Sequence, residues 1–388
     1  MAKQTGKSFN DVKAAEDVIK SLNKRFGNDL NARWLGVSKN DPVDVIPTGV
    51  ASIDEVTGVG GIPRGGLVEI IGDNATGKTA LASSIIAEAQ SLGVNCFFID
   101  MEQSYDLHRA QQLGVNIDTL GFVQPDDGNQ AVEIAREVAN SGQFGVIVVD
   151  SVATLVPRSE LDGESGDANM GTHAKLMSSA CRVLSPVVKR NNILFIFINQ
   201  FREKMVTMGD PRVPTGGKSL FYYAKMRIET TAPEKLTEGS EVVGRRNRIK
   251  IVKNKVGPPF RTADYDIYYD DKGIDKIGAF IPVAVKYGIM KKSGTWFSYK
   301  GENIAQGNVK TSAYLRDNPE IYEEIKLAIE QARLENKVVV EDKIEPDGSK
   351  ISIDGQSIDM ETGEIIEDTP EVLEPEIIEE PVKRTRKN

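Results

Sequence analysis

The chain has 388 residues, 40% apolar and 27% charged, with a formal net charge of −9, two cysteines and two histidines. That composition is ordinary for a protein of two or three units, one of them large enough to bury a full core. No apolar run approaches the roughly 18 residues of a membrane helix. The opening MAKQTGKSFNDVKAAEDVIK has no apolar middle like that of a secretory signal, and Cys96 and Cys181 are too few and too distant for a disulfide framework or a zinc module. A cytoplasmic protein with no membrane partner is expected.

In chain order, residues 10–28 place Val12, Ala15, Val18, Ile19, Leu22 and Phe26 at helical spacing behind a capping Asn10 or Asp11. From about 40 to 275, short β-rich runs alternate with amphipathic segments. The runs are LVEIIG (67–72), NCFFID (95–100), GVIVVD (145–150), ILFIFIN (193–199), AKMRIET (224–230) and RIKIVKN (248–254). Helices are expected near 78–92, 105–113, 129–141 and 170–191. Apolar strands alternating with helices predict an α/β unit with a mostly parallel sheet. Residues 276–335 form another compact stretch ending in the helical NPEIYEEIKLAIEQARLEN. Beyond 336, Pro, Glu and Asp dominate, which predicts a disordered tail with a short hairpin around SIDGQSID. The expected parts are therefore 1–39, 40–275, 276–335 and 336–388.

The acidity is local. Fifteen Asp and Glu between 341 and 380 face two lysines there and four basic residues in KRTRKN, which accounts for the whole net charge. The body is near neutral and free to carry basic patches.

Gly72-Asp73-Asn74-Ala75-Thr76-Gly77-Lys78-Thr79 fits G-x-x-x-x-G-K-[ST], with an apolar strand before it and the helical TALASSIIAEAQ, opening Thr79-Ala80, after it. Glycines let consecutive N–H groups face phosphate oxygens, and the helix N-terminus adds partial positive charge. Lys78 would reach the β and γ phosphates and Thr79 would offer a hydroxyl to Mg²⁺. A second strand should end in the magnesium carboxylate, and GVIVVD ends in Asp150. FFIDMEQ brings Asp100 and Glu102, and Glu102 is the expected water-positioning carboxylate, on a strand expected beside the Gly72 strand.

The motifs VIPTGVASIDEVTGVGGIPRGGLVEIIG, FIDMEQ, VQPDDGNQAVEIA, VIVVDSVATLVPRSELDGESGD, FIFINQFREKM, PTGGKSLFYYA, VGRRNRIKIVKNKVGPPF and GTWFSYKGENIAQG resemble, in order and spacing, the bacterial RecA recombinases from about residue 10 to 335. The resemblance implies a RecA-like P-loop NTPase core, a small N-terminal helical polymerisation element and a small α/β C-terminal domain. It implies a DNA-dependent ATPase, using ATP and Mg²⁺. Such an enzyme forms a helical homo-oligomeric filament on single-stranded DNA and pairs that strand with homologous duplex DNA.

On this resemblance Glu102 is the catalytic carboxylate and Gln200 the γ-phosphate sensor. Lys253 and Lys255 reach a neighbouring protomer's phosphates. Asp106, Arg109 and Tyr269 lie on the base side, with Arg109 where the family has an aromatic. Two loops, 160–175 and 201–219, would hold DNA. Their neighbourhood supplies Met170, Lys175, Ser178, Arg182, Arg202, Lys204, Met205, Thr215, Gly216, Gly217 and Lys218. Thr231 and Ala232 fall where a second DNA site has arginines, for which Arg245, Arg246, Arg248 and Lys250 could compensate. Lys292, with Lys291, Lys300 and Lys310 near Trp296, could receive duplex. An ATP- and DNA-binding filament scaffold or regulator with weak hydrolysis is the alternative reading, and a RecA-like ring helicase or branch-migration factor a third.

Overall fold

Alternate residues of the central strands face two different cores, because successive side chains of a strand point to opposite faces. Val68, Ile70, Val146, Val148, Leu194, Ile196 and Ile198 pack on one side with Leu81, Ile85 and Ile86 of the helix Lys78–Ser91. Leu67, Ile147, Val149, Phe195 and Phe197 pack on the other. There they meet Ala131, Ala135 and Ala139 of the helix Gly128–Ser141 and Met177, Leu184 and Val188 of the helix Thr172–Arg190. The runs at 67–72, 95–100, 145–150 and 193–199 are therefore strands covered on both faces, whereas 248–254 buries Ile249 and Ile251 and leaves Arg248 and Lys250 exposed. The computed structural model describes residues 12–26, 32, 34, 43–161, 171–203, 212–270, 272–342, 351–353, 356–358 and 365–366.

The strands of this sheet are β1 (Gly66–Gly72), β2 (Cys96–Asp100), β3 (Leu120–Val123), β4 (Val146–Asp150), β5 (Leu194–Glu203), β6 (Met226–Glu238), β7 (Glu241–Asn254) and β8 (Thr262–Tyr268). Their spatial order is β8-β7-β6-β1-β5-β4-β2-β3, with the short strand Arg212–Pro214 paired antiparallel to β5. From β3 to β6 all neighbours are parallel, and β7 and β8 extend the sheet antiparallel. The expectation of a mostly parallel sheet holds. The expectation that the Glu102 strand lies beside the Gly72 strand does not, since β5 and β4 lie between β1 and β2.

The chain divides into two compact units, Met1–Phe280 and Ile281–Asn388. The second has a three-stranded antiparallel sheet, Met290–Ser293, Trp296–Tyr299 and Glu302–Gln306, followed by the helices Asn308–Asp317 and Pro319–Asp342. The last helix runs beyond position 336. The hairpin expected at SIDGQSID is present as Ile351–Ile353 paired with Gln356–Ile358, joined by Ile365–Ile366. The rest of the expected disordered tail lies outside the described residues. The expected leading helix spans Val12–Phe26. Among the described residues no helix is long and apolar enough to cross a membrane.

Candidate active site

β1 delivers Gly72 to the carboxyl edge of the sheet, and the helix starting at Lys78 leaves from the same edge. The turn between them is held from beneath by β6 and β7. A side-chain carbon on Gly72 would sit 2.4 Å from the Thr230 carbonyl oxygen, so only glycine allows this approach. Thr76 Oγ1 and Thr230 Oγ1 are 2.8 Å apart, and Asn247 Nδ2 donates to the Thr76 carbonyl at 2.6 Å. Gly77 has φ +79°, and a β-carbon there would lie 2.5 Å from Asn247 Nδ2. Arg245 donates to the Ala75 carbonyl. Asp73 and Asn74 stay exposed at the tip, and Ala80 lies in the helix's first turn.

Lys78 is buried, and its ammonium donates to the carbonyls of Gly72 at 3.1 Å and Asp73 at 2.7 Å. Burial lowers its pKa, against the attraction of Asp150, Glu102 and Asp73. A buried ammonium beside a glycine turn at a helix N-terminus suits a polyanion.

Thr79 Oγ1 donates to Asp150 Oδ2 at 2.6 Å. Burial pushes the Asp150 carboxyl up to about 7; the Thr79 bond and Lys78 oppose the rise, while Glu102 and Asp100 add to it. A desolvated carboxylate beside a hydroxyl, short of positive charge, fits a hard divalent cation such as Mg²⁺. Among the described residues no group of three or more His, Cys, Asp and Glu side chains gathers a metal. Such a cation would therefore complete its shell with phosphate and water.

Glu102 reaches this edge because the chain after β2 folds over the end of β4. Met101 N–H and Glu102 N–H both donate to the Asp150 carbonyl, at 2.6 and 3.2 Å. Asp100 organises the turn by accepting from Glu102 N–H, Tyr105 N–H and Gln124 Nε2. Glu102 Oε1 then accepts from Ser151 Oγ at 2.6 Å and from Gln200 Nε2 at 2.7 Å. Lys78, Thr79, Asp150, Glu102 and Gln200 thus meet at one edge, although four strands carry them.

A cavity of about 180 Å³ opens beside Thr79 and Asp150, lined also by Ser83, Tyr105, Asp106 and Arg109. Asp106 caps the helix Leu107–Gln112 by accepting from Arg109 N–H. The Arg109 guanidinium is held in place, donating to Gln112 Oε1 at 2.9 Å, Tyr268 O at 2.5 Å and Asp270 O at 3.2 Å. Tyr269 is half exposed, with Arg245 over its ring and donating to its hydroxyl.

The candidate DNA residues divide into groups. Lys175, Ser178 and Arg182 are exposed on one face of the helix Thr172–Arg190, at i, i+3 and i+7. The turn Thr215–Lys218 packs against the same helix: side-chain carbons on Gly216 and Gly217 would meet Met177 and Ala174 at 2.9 and 3.1 Å. Arg202, on β5, reaches the Ala153 carbonyl at 3.5 Å. Arg248 and Lys250 are exposed on β7, two strands from β1, and Arg248 forms a two-pronged pair with Asp264. Lys253 is turned onto its own chain, donating to the carbonyls of Phe221 and Tyr222, while Lys255 N–H donates to Lys225 O. Lys292 belongs to the second unit, over the Phe297 ring, and Lys300 there pairs with Glu324. Met170, Lys204 and Met205 lie outside the described residues.

The RecA N-terminal domain family model matches residues 13–275, and the RecA C-terminal domain model matches residues 278–334. The chain belongs to the RecA family. Protein RecA of Heliobacterium modesticaldum is 44% identical over 330 residues, covering 84% of this chain and 95% of that protein. Protein RecA of Frankia casuarinae is 44% identical over 320 residues, covering 82% and 92%. A crystal structure of the RadB recombinase matches 59% of this chain and 98% of its own length at 22% identity, with a TM-score of 0.45. RecA-family proteins are nucleotide-binding, DNA-dependent ATPases of recombination and repair, and the edge just described lies within the RecA N-terminal match.

Asn247, Thr230 and Ser151 belong to this edge although the sequence analysis assigned them no role, and Arg245, expected to compensate at a second DNA site, instead bonds the Ala75 carbonyl. Asn247 and Thr230 sit inside strands, where nothing in local spacing distinguishes a prop beneath a loop from a polar residue in a sheet.

Proposed function

We propose that this RecA-family chain is an ATP-dependent recombinase. It assembles as a helical filament on single-stranded DNA in the cytoplasm and pairs that strand with a homologous duplex. One relationship carries the reading. The Gln200 side chain is bonded to Glu102, while its carbonyl accepts from both Thr215 N–H and Thr215 Oγ1, at 3.1 and 3.0 Å. A single residue touches both the hydrolytic carboxylate and the turn that leads into the candidate DNA surface.

In this reading the 72–80 turn and Lys78 hold the phosphates of ATP, and Thr79 and Asp150 hold Mg²⁺. Asp106, Arg109 and Tyr269 flank the base, with Arg109 a guanidinium fixed in place for stacking. When bound, the nucleotide supplies the scissile anhydride and the cation offsets its charge. Gln200 turns its amide from Glu102 to the γ phosphate, and Glu102 becomes free to orient a water and take its proton. The β5 end moves with Gln200 and carries Thr215, Gly216, Gly217 and Lys218 toward the backbone of a single strand. Lys175, Ser178, Arg182 and Arg202, with Met170, Lys204 and Met205, grip the same strand. Holding phosphates and leaving base edges free lets base pairing supply the sequence specificity. Lys253 and Lys255 bridge to the phosphates of the adjacent protomer, so ATP joins subunits. Arg248, Lys250 and Lys292 serve the second DNA.

The test is ATP turnover with and without single-stranded DNA, together with negative-stain images of the chain on that DNA with a non-hydrolysable ATP analogue. Long helical filaments and DNA-stimulated turnover are expected. Closed rings would favour a ring helicase, and filaments with unstimulated turnover a scaffold. Either result overturns the recombinase reading.

A further inference from the structure

Beneath the edge that carries Gly72 and Gln200 lies a buried charge pair that the hydrolytic steps do not use. Glu69, on β1, is wholly buried, and Arg227, its register partner on β6, donates Nε–H to Glu69 Oε2. Glu69 Oε1 accepts from Asn199 Nδ2 at 2.7 Å. Asn199 Nδ2 also donates to the Thr215 carbonyl at 3.1 Å, and Asn199 Oδ1 accepts from Gln200 N–H at 2.8 Å.

The chemistry of the partners dictates this orientation. An ionised carboxylate only accepts hydrogen bonds, so Asn199 must present its NH₂ to Glu69. Its oxygen is then left for the Gln200 N–H and its second amide hydrogen for Thr215. Burying a carboxylate three residues before a phosphate cradle is electrostatically adverse and needs a counter-ion, which Arg227 provides. Arg227 in turn lies over the ring of Phe221, 5.1 Å from its centroid, in the short helix Ser219–Tyr223 that follows the Thr215–Lys218 turn. The pair therefore sits among three segments that the proposed coupling must move or hold: β1, the end of β5 and the exit from the turn.

We infer that Glu69 is a positioning residue for the coupling between nucleotide and DNA, its carboxylate anchoring the Asn199 amide where it joins Gln200 N–H to the Thr215 carbonyl. With glutamine at 69, Asn199 loses its charged acceptor and is held only by the Thr215 carbonyl and the Gln200 N–H, so the link between those two backbone groups loosens. The inference rests on the proposed function, in which Gln200 passes nucleotide state to the DNA surface.

The experiment uses the full chain and compares wild type with Glu69→Gln. A fluorescent ADP analogue measures nucleotide affinity. Anisotropy of a labelled oligothymidylate measures DNA affinity with ATPγS and with ADP. Wild type should bind DNA more tightly with ATPγS by about 10-fold or more, within the usual range of coupling between sites. Glu69→Gln should keep ADP affinity within about 2-fold while its ATPγS-to-ADP ratio falls to within about 3-fold of unity. A merely structural pair would lower the melting temperature and both DNA affinities together and leave the ratio intact, which overturns the inference. A wild type with no nucleotide dependence sinks the proposed function itself. Should the lone substitution leave Arg227 unpaired and the chain unfolded, Glu69→Gln with Arg227→Met removes both charges at once, and the same loss of ratio is expected. Full coupling in that folded double variant overturns the inference as well.

Discussion

Gln200 Nε2 donates to Glu102 Oε1 at 2.7 Å, although β4 lies between the strands that lead to them. The bond occupies the carboxylate proposed to orient water and the amide proposed to sense phosphate, so each restrains the other. Glu102→Gln should lower DNA-stimulated ATP turnover by about 100-fold or more, because an amide cannot take the proton from water. Nucleotide binding should survive, since the 72–80 turn is propped by Thr230, Asn247 and Arg245 rather than by Glu102. Steady-state turnover beside equilibrium binding of an ATP analogue checks both halves, and unchanged turnover would remove Glu102 from the chemistry.

Asp150 yields a dependence on pH. Its carboxyl is pushed up to about 7 by burial, so the neutral form dominates below that value and the carboxylate above it. A cation binds the carboxylate and must displace the proton when the group is neutral. Mg²⁺ affinity should therefore be flat well above pH 7 and weaken roughly tenfold per unit as pH falls below it. Magnesium titrations of nucleotide binding at pH 6 and pH 8 test this, and Asp150→Asn should abolish the difference along with most of the affinity.

Asn247 supports the turn proposed to receive phosphate. Asn247→Ala removes the donor to the Thr76 carbonyl and opens space beside Gly77. A buried carbonyl left without its donor costs about 1–3 kcal/mol. Because the loss falls on the turn, nucleotide affinity should drop by about 5- to 100-fold, with a smaller change in the melting temperature. Calorimetric titration with ADP, alongside thermal unfolding, separates the two effects.

Lys175 and Arg182 should act on DNA through charge alone. Replacing either with alanine should weaken single-strand binding for all sequences alike and reduce the slope of log affinity against log salt by about 0.7. Ser178→Ala, on the same face, should leave the slope unchanged. Affinities across a salt series decide it, and a sequence-dependent loss would mean base contact instead.

The local pattern of the sequence was sufficient for the strands Gly66–Gly72, Cys96–Asp100 and Val146–Asp150, for the glycine turn at 72–79, and for a carboxylate at the end of β4. Each is written in consecutive residues: an apolar run, a glycine pair at fixed spacing, an Asp closing a strand. Tertiary structure alone decided that β5 and β4 separate β1 from β2, and that Glu102 nonetheless reaches Gln200 by folding over the Asp150 carbonyl. It also decided that Asn247 and Thr230, more than 150 residues away in sequence, close the floor of the 72–79 turn. Strand order depends on how the crossover helices pack, and a prop beneath a loop depends on which strand arrives there; neither leaves a periodic trace in the segment that does the work.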